Sequence, residues 1–143
     1  MKLATIGYES DTQDAVIRRL KTAGVEVVID VRAVAASRRA GFSKTILAAS
    51  LKEAGIDYVH LRDLGTPKPG REAARHGRID EMRRIFEDHL AEPAAQLQLA
   101  QAIEAAGERK VALLCYEADP KGCHRSILAE HMCEAAPFEV EDL

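Results

Sequence analysis

The sequence contains no tryptophan, and only 4% of its residues are aromatic. Single-stranded nucleic acid stacks its bases on rows of aromatic side chains, and the sequence offers no such row. It also lacks an apolar run long enough to span a membrane or to serve as a secretion signal. Its three cysteines are an odd number, which indicates reduced thiols rather than a disulfide framework. We therefore expect a soluble cytoplasmic protein with no membrane partner.

Acidic residues are absent from one part of the chain, although the whole chain has a net charge of −3. Residues 32–44 contain four Lys or Arg residues and no Asp or Glu. Residues 62–78 contain five Lys or Arg residues against two acids. Local basic patches on an acidic chain suit a discrete anionic ligand better than a long duplex.

Short apolar segments alternate with amphipathic ones along the chain. The pattern predicts strands at 2–7, 25–29, 56–61, 110–115 and 138–140, and helices at 11–23, 44–54, 78–90, 93–106 and 123–135. Residues 33–42 are a predicted loop, as is the long segment containing Gly65 and Gly70. Gly107 is expected to end the helix before it. The alternation predicts a single α/β domain that covers residues 1–143. We expect it to be a three-layer α/β/α sandwich with a mostly parallel sheet of four or five strands.

Polar residues follow three of the predicted strands. The three segments are Gly7-Tyr8-Glu9, Asp30-Val31-Arg32 and Cys115-Tyr116-Glu117. The carboxyl ends of parallel strands open on one edge of a sheet, where such folds bind ligands. We therefore expect these groups to converge on one site.

Two of these polar segments carry residues suited to anion binding. Asp30 and Arg32 are two residues apart in an extended segment, so their side chains leave the same face. They form either an architectural ion pair or a pair in which Asp30 orients Arg32 toward a ligand anion. Ser37, Arg38 and Lys44 belong to a basic loop that enters a predicted helix, whose N-terminus favours anions.

The densest cluster of reactive residues runs from Cys115 to Arg125. A phosphatase of the Cys-x5-Arg type is excluded. Such an enzyme needs arginine six residues after its cysteine, but that position is Lys121 after Cys115 and Ala129 after Cys123. A zinc site built from Cys115, Cys123 and His124 lacks a fourth ligand in the local sequence, so we predict no metal site and no cofactor. Cys123 begins a predicted helix, which lowers a thiol pKa, so a rhodanese-like or redox thiol enzyme is one alternative.

Acid–base catalysis is a further alternative for the same cluster. Its candidate catalytic groups are Glu117 and Asp119, with His124 as an alternative. Arg32 and Arg125 would hold a phosphate group beside them.

An ordered set of short motifs covers essentially the whole chain. The motifs are Thr5-Ile6-Gly7-Tyr8, Asp30-Val31-Arg32, Ser37-Arg38 with Gly41-Phe42-Ser43-Lys44, Tyr58-Val59-His60-Leu61 with Leu64-Gly65, and Cys115-x-Glu117 with Cys123-His124-Arg125. Together they resemble the uncharacterised bacterial and archaeal family known as domain of unknown function 488. The resemblance implies a compact α/β domain whose signature residues include these elements. Members commonly carry proline where this chain has Ala33-Val34-Ala35-Ala36, which leaves the loop less preorganised here.

These observations predict a protein that binds a phosphate-bearing ligand, a nucleotide or nucleic acid, at the carboxyl edge of the sheet, with hydrolytic acid–base chemistry as an extension. The predicted ligand-binding residues are Tyr8, Asp30, Arg32, Ser37, Arg38, Lys44 and Arg125. The alternative is a non-catalytic nucleic-acid or protein interaction module that uses residues 32–44 and 62–78 as its face.

Overall fold

The computed structural model describes all residues, Met1–Leu143, as a parallel sheet between two layers of helices. The strands are β1 (Lys2–Gly7), β2 (Val27–Asp30), β3 (Asp57–His60), β4 (Val111–Cys115) and β5 (Glu139–Asp142). The helices are α1 (Gln13–Thr22), α2 (Lys44–Glu53), α3 (Lys68–Arg75), α4 (Ile79–Leu90), α5 (Pro93–Glu108) and α6 (His124–Ala135). The predicted α/β fold with a parallel sheet is confirmed. A membrane-spanning helix is not among the six, since none is both long and apolar enough.

The sheet has the strand order β3-β2-β4-β1-β5, and all neighbouring strands are parallel. β4 lies at its centre, between β1 and β2, and all five of its residues are buried. Burial on both faces accounts for the uninterrupted apolar sequence of this strand.

Alternate residues of the strands face two separate cores. Ile29 and Leu113 lie in a core with residues of α4, α5 and α6. Val28 and Leu114 lie in the opposite core with residues of α1 and α2. The chain therefore leaves β1 and β2 toward one face and leaves β4 toward the other. That divergence opens a crevice at the carboxyl end of β4, where doubly wound sheets bind ligands.

The segment after β3 contains more helix than the sequence predicts. A 3-10 turn covers Arg62–Leu64, and α3 occupies Lys68–Arg75 within the predicted loop. Pro69 is the second residue of α3, where a missing N–H costs no hydrogen bond, so it is compatible with the helix. The predicted stop at Gly107 is also wrong, because α5 continues through it to Glu108.

Gly7 ends β1 where the loop after β4 crosses it. A Cβ atom at Gly7 would lie 1.8 Å from the Glu117 carbonyl oxygen and 3.1 Å from Nη1 of Arg125. The first distance involves rigid backbone, so only glycine allows this close approach.

Gly7→Ala is expected to destabilise the protein by about 3 kcal/mol or more, the upper range for overpacking, because backbone must move. Gly107→Ala is the matched control, since a Cβ there meets nothing within 4 Å. The control is expected to stabilise α5 by about 0.5–1 kcal/mol. Urea denaturation measures both, and equal effects of the two substitutions would contradict the close approach.

Candidate functional site

A cleft of about 920 Å³ lies at the carboxyl edge of the sheet, where the sequence predicts the site. Its walls come from the segments that follow β1, β2 and β4, and from α3 with the residues around it. Its charged lining residues are Glu9, Arg32, Arg38, Arg39, Lys68, Arg71, Arg75, Glu117 and Asp119. Six of these are cations and three are acids, so cations predominate in the lining.

The floor of the cleft contains a buried ion pair between Asp30 and Arg32, whose side chains are 0% and 5% exposed. Nε and Nη2 of Arg32 donate to the two carboxylate oxygens of Asp30 at 2.9 and 2.7 Å, a bidentate geometry. Nη1 of Arg32 donates to the Tyr8 hydroxyl and to the Phe42 carbonyl oxygen at 2.9 and 2.8 Å. The Tyr58 hydroxyl also donates to Asp30.

These contacts are those of an architectural ion pair. A guanidinium has five N–H groups, and four of those of Arg32 are engaged by protein atoms, which leaves one for a ligand. Burial opposes the charge on Arg32, but the hydrogen bonds and charge of Asp30 hold its pKa above the ordinary value. Burial, reinforced by Asp30, also raises the pKa of Tyr58. Arg32 therefore stays charged and Tyr58 stays protonated at neutral pH.

Aromatic rings connect this network to the mouth of the cleft. Tyr8 is buried and stacks on Phe42, with ring centroids 4.2 Å apart. The ring of Tyr116 contacts Tyr8 in a T-shaped arrangement, with centroids 5.4 Å apart, and Tyr116 is 43% exposed. Tyr116 is therefore held in place by Tyr8 but partly open to solvent at the cleft.

Three cations of the cleft have no partner in the protein. Arg38, Lys68 and Arg75 are exposed, and none of them forms an ion pair or a side-chain hydrogen bond. Arg39, in contrast, donates to backbone carbonyl oxygens of the segment after β1, and Arg71 donates to the Thr66 carbonyl oxygen. The first three residues therefore supply the charge that remains available to a ligand.

The other predicted ligand-binding residues have different surroundings. Ser37 lines the cleft, but its hydroxyl accepts a hydrogen bond from the loop backbone. Lys44 is exposed at the start of α2 and does not line the cleft. Arg125 is 1% exposed, lies outside the cleft lining, and donates to the Glu117 carbonyl oxygen at 2.6 Å. Its Nε has no partner. Arg125 thus supports the loop after β4 from inside the protein.

A cluster of sulfur, nitrogen and oxygen atoms lies behind the cleft, at the end of β4 and the start of α6. Nδ1 of His124 lies 3.8 Å from Sγ of Cys115 and 3.7 Å from Sγ of Cys123. These three side chains are buried, and their donor atoms lie within 4.8 Å of one another. Oε2 of Glu117 lies 3.3 Å from Sγ of Cys115. Glu117 thus lies beside the cluster, next to one of its two sulfur atoms.

The groups of this cluster shift one another's protonation. Burial opposes a thiolate, but the hydrogen bond from Cys115 and the charges of His124 and Arg125 hold the pKa of Cys123 well below its ordinary value. Burial also opposes a charged His124, yet the charge of Cys123 raises its pKa. Interaction with Cys123 and burial raise the pKa of Cys115. Burial, with the charge of Cys123, raises the pKa of Glu117 to about 7.

Access to the cleft differs among the predicted catalytic residues. Glu117, Asp119 and His124 line it, as does Cys115. The Asp119 carboxylate also accepts a hydrogen bond from a neighbouring backbone N–H in its own loop. Cys123 is 1% exposed and does not line the cleft, so the structure gives this thiol no open route to a substrate.

Several residues that line the cleft were not among the predicted ligand-binding residues, although four of them belong to the basic segments 32–44 and 62–78. They are Arg39, Lys68, Arg71, Arg75 and Tyr116. The basic composition of 62–78 was the available signal, but reading that segment as a loop concealed its geometry. Once α3 is recognised, Lys68, Arg71 and Arg75 have the i, i+3, i+7 spacing of one helix face.

The fold and the cleft define a doubly wound α/β protein with a basic crevice at the carboxyl edge of its sheet. Within this class, the chain belongs to the family described as domain of unknown function DUF488, whose model matches residues 12–132. The resemblance inferred from the motifs is therefore confirmed. No curated protein and no solved structure matches the chain.

Asp30→Ala is expected to destabilise the protein by about 3–5 kcal/mol, because it leaves the buried Arg32 charge without its partner. Glu130→Ala is the control, since it removes an ion pair with Arg83 in which both side chains are about half exposed. The control should lower the free energy of unfolding by about 1 kcal/mol or less. Urea denaturation compares them, and similar losses would show that the Asp30–Arg32 pair is not structural.

Proposed function

We propose that the cleft binds a phosphate-bearing small ligand, a nucleotide in the first instance. The observation that carries the proposal is the presence of three unpaired cations, Arg38, Lys68 and Arg75, on the cleft walls. Unpaired cations gathered in a concave site raise the local concentration of anions and bind them by charge-assisted hydrogen bonds.

The cations come from two different walls of the cleft. Arg38 belongs to the segment between β2 and α2, whereas Lys68 and Arg75 belong to α3. Arg71 lies on the same face of α3 and lines the cleft between them. A phosphate placed in the cleft would therefore be contacted from both sides. Two guanidinium groups supply the planar donor pairs that match phosphate oxygens.

Tyr116 favours a nucleotide over inorganic phosphate. Tyr116 is 43% exposed, and its ring contacts the buried Tyr8 in a T-shaped arrangement. An exposed aromatic ring next to cations offers a stacking surface for a base. The cleft has one such exposed ring, since Tyr8 is buried, so it suits a single nucleotide unit better than an extended strand.

The wider hypotheses remain predictions beside this proposal. Glu117 and Asp119 line the same cleft, so hydrolytic acid–base chemistry would act on a ligand bound there. A nucleic-acid interaction module would use the same basic walls, but its affinity would fall steeply with salt for every sequence. A thiol enzyme using Cys123 would require this buried side chain to become accessible.

The Arg38→Gln/Arg75→Gln double variant is expected to lose at least about 100-fold in nucleotide affinity, since each charged hydrogen bond contributes about 1.5–3 kcal/mol. Isothermal titration calorimetry with nucleoside mono-, di- and triphosphates and a short single-stranded oligonucleotide provides the measurement. Arg18→Gln, an exposed position on α1 outside the cleft, is the charge-matched control and should bind as the wild type does. Wild-type affinity in the double variant, or no binding of any of these ligands to the wild type, would refute the proposal.

Tyr116→Ala is expected to weaken nucleotide binding by about 1–3 kcal/mol, the usual contribution of one base stacked on an aromatic ring. Tyr116→Phe keeps the ring and should retain the affinity. Inorganic pyrophosphate has no base, so neither substitution should change its binding. An equal loss for nucleotide and pyrophosphate in Tyr116→Ala would show that the ring supports the cleft rather than the base.

A further inference from the structure

Three side chains with metal-ligand chemistry meet where β4 ends and α6 begins, and Glu117 lies beside one of them. The three donor atoms are Sγ of Cys115, Sγ of Cys123 and Nδ1 of His124, and Oε2 of Glu117 lies next to Sγ of Cys115. The acid–base and anion-binding hypotheses leave both sulfur atoms without a role. The cysteines are 6% and 1% exposed, and they form no disulfide. The cluster therefore needs an account of its own.

Three distances between these atoms agree with a tetrahedral zinc site. Zinc bonds of about 2.3 Å to sulfur and about 2.0–2.1 Å to nitrogen, at tetrahedral angles, place the two donors about 3.6 Å apart. The two sulfur–nitrogen distances here are 3.8 and 3.7 Å. A carboxylate oxygen at about 2.0–2.2 Å from zinc would lie about 3.5 Å from a ligating sulfur. The observed distance between Cys115 and Glu117 is 3.3 Å.

His124 is held in the orientation that a metal ligand requires. Its Nε2 lies 2.9 Å from the Val31 carbonyl oxygen. A carbonyl oxygen only accepts, so Nε2 carries the proton and donates, and Nδ1 faces the two sulfur atoms. The ring also packs edge-on against Phe86, with centroids 5.0 Å apart. Metal-bound histidines usually donate their second N–H in this way, often to a backbone carbonyl.

Charge balance around Arg125 supports the same assignment. Arg125 follows His124, is 1% exposed, and forms no ion pair with any carboxylate. A buried cation without a countercharge is costly. Zinc with two thiolates, a neutral imidazole and a carboxylate has a net charge of −1, which compensates this guanidinium.

We propose that Cys115, Cys123 and His124 bind a zinc ion; Glu117, next to Cys115, is the candidate for the fourth position. Two sulfurs and an imidazole favour zinc over the hard cations magnesium and calcium. The ion would join the end of β4 and its following loop to the first turn of α6. The proposal does not depend on the ligand of the basic cleft.

The wild-type protein, stripped with a chelator and kept reduced, is expected to bind one equivalent of Zn²⁺ in calorimetric titration and to gain thermal stability with Zn²⁺ but not with Mg²⁺. The Co²⁺-substituted protein should show thiolate-to-metal charge-transfer absorption and the strong visible bands of tetrahedral cobalt. No Zn²⁺ binding, or a cobalt spectrum without thiolate charge transfer, would overturn the proposal without any variant.

Single substitutions identify the ligands. Loss of a residue that only supports a metal ligand lowers metal affinity by about 10–100-fold. Cys115→Ser and Cys123→Ser remove a ligand itself, so each should lower the Zn²⁺ affinity by more than this. Cys133→Ser is the matched control, since this cysteine lies outside the cluster and bonds to the Phe138 carbonyl oxygen instead. Circular dichroism verifies that each variant folds. The cobalt spectrum of Glu117→Gln shows whether Glu117 occupies the fourth coordination position, since loss of a ligand changes the visible bands. Wild-type Zn²⁺ affinity in either cysteine variant of the cluster would contradict the site.

Discussion

One buried guanidinium holds the carboxyl edge of the sheet together. Arg32 is bonded to Asp30 at the end of β2, to the hydroxyl of Tyr8 after β1, and to the carbonyl of Phe42 before α2. A buried charge stays stable only while its donors remain paired, so these three segments have to keep their relative positions. Tyr8 in turn supports Tyr116 at the mouth of the cleft. The shape of the cleft thus depends on an ion pair that itself has little capacity left for a ligand.

The strand order places two different chemistries on the two sides of one segment. Asp30 and Arg32 point to the face covered by α1 and α2, where Tyr8 and Phe42 lie. Val31, between them, belongs to the opposite core and its carbonyl accepts the hydrogen bond of His124. The ion-pair network and the cysteine–histidine cluster are therefore attached to consecutive residues. A displacement of this segment would disturb both, which links the geometry of the basic cleft to that of the cluster behind it.

The sequence predicts the sheet well because burial on both faces leaves an unambiguous pattern in strands such as Val111–Cys115. The rule that ligands bind at carboxyl ends likewise predicts where the cleft lies. The α3 face was missed because Pro69 and Gly70 read as helix breakers, although one lies in the first turn and the other packs against Thr66. The structural role of Arg125 also could not be predicted from the sequence. A guanidinium in the first turn of a helix at the sheet edge can serve a ligand or a backbone carbonyl equally well, and only its burial distinguishes the two.

The two proposed sites share one wall but attract different partners. Cys115, Glu117 and His124 line the cleft, so the zinc ion would lie beside the bound anion. A zinc ion with two thiolates and a carboxylate carries a net negative charge, so it would not itself attract a phosphate group. The affinity for an anion has to come from the far walls, where Arg38, Lys68 and Arg75 lie unpaired. Zinc is thus expected to shape the cleft floor, whereas the exposed cations determine which ligands enter it.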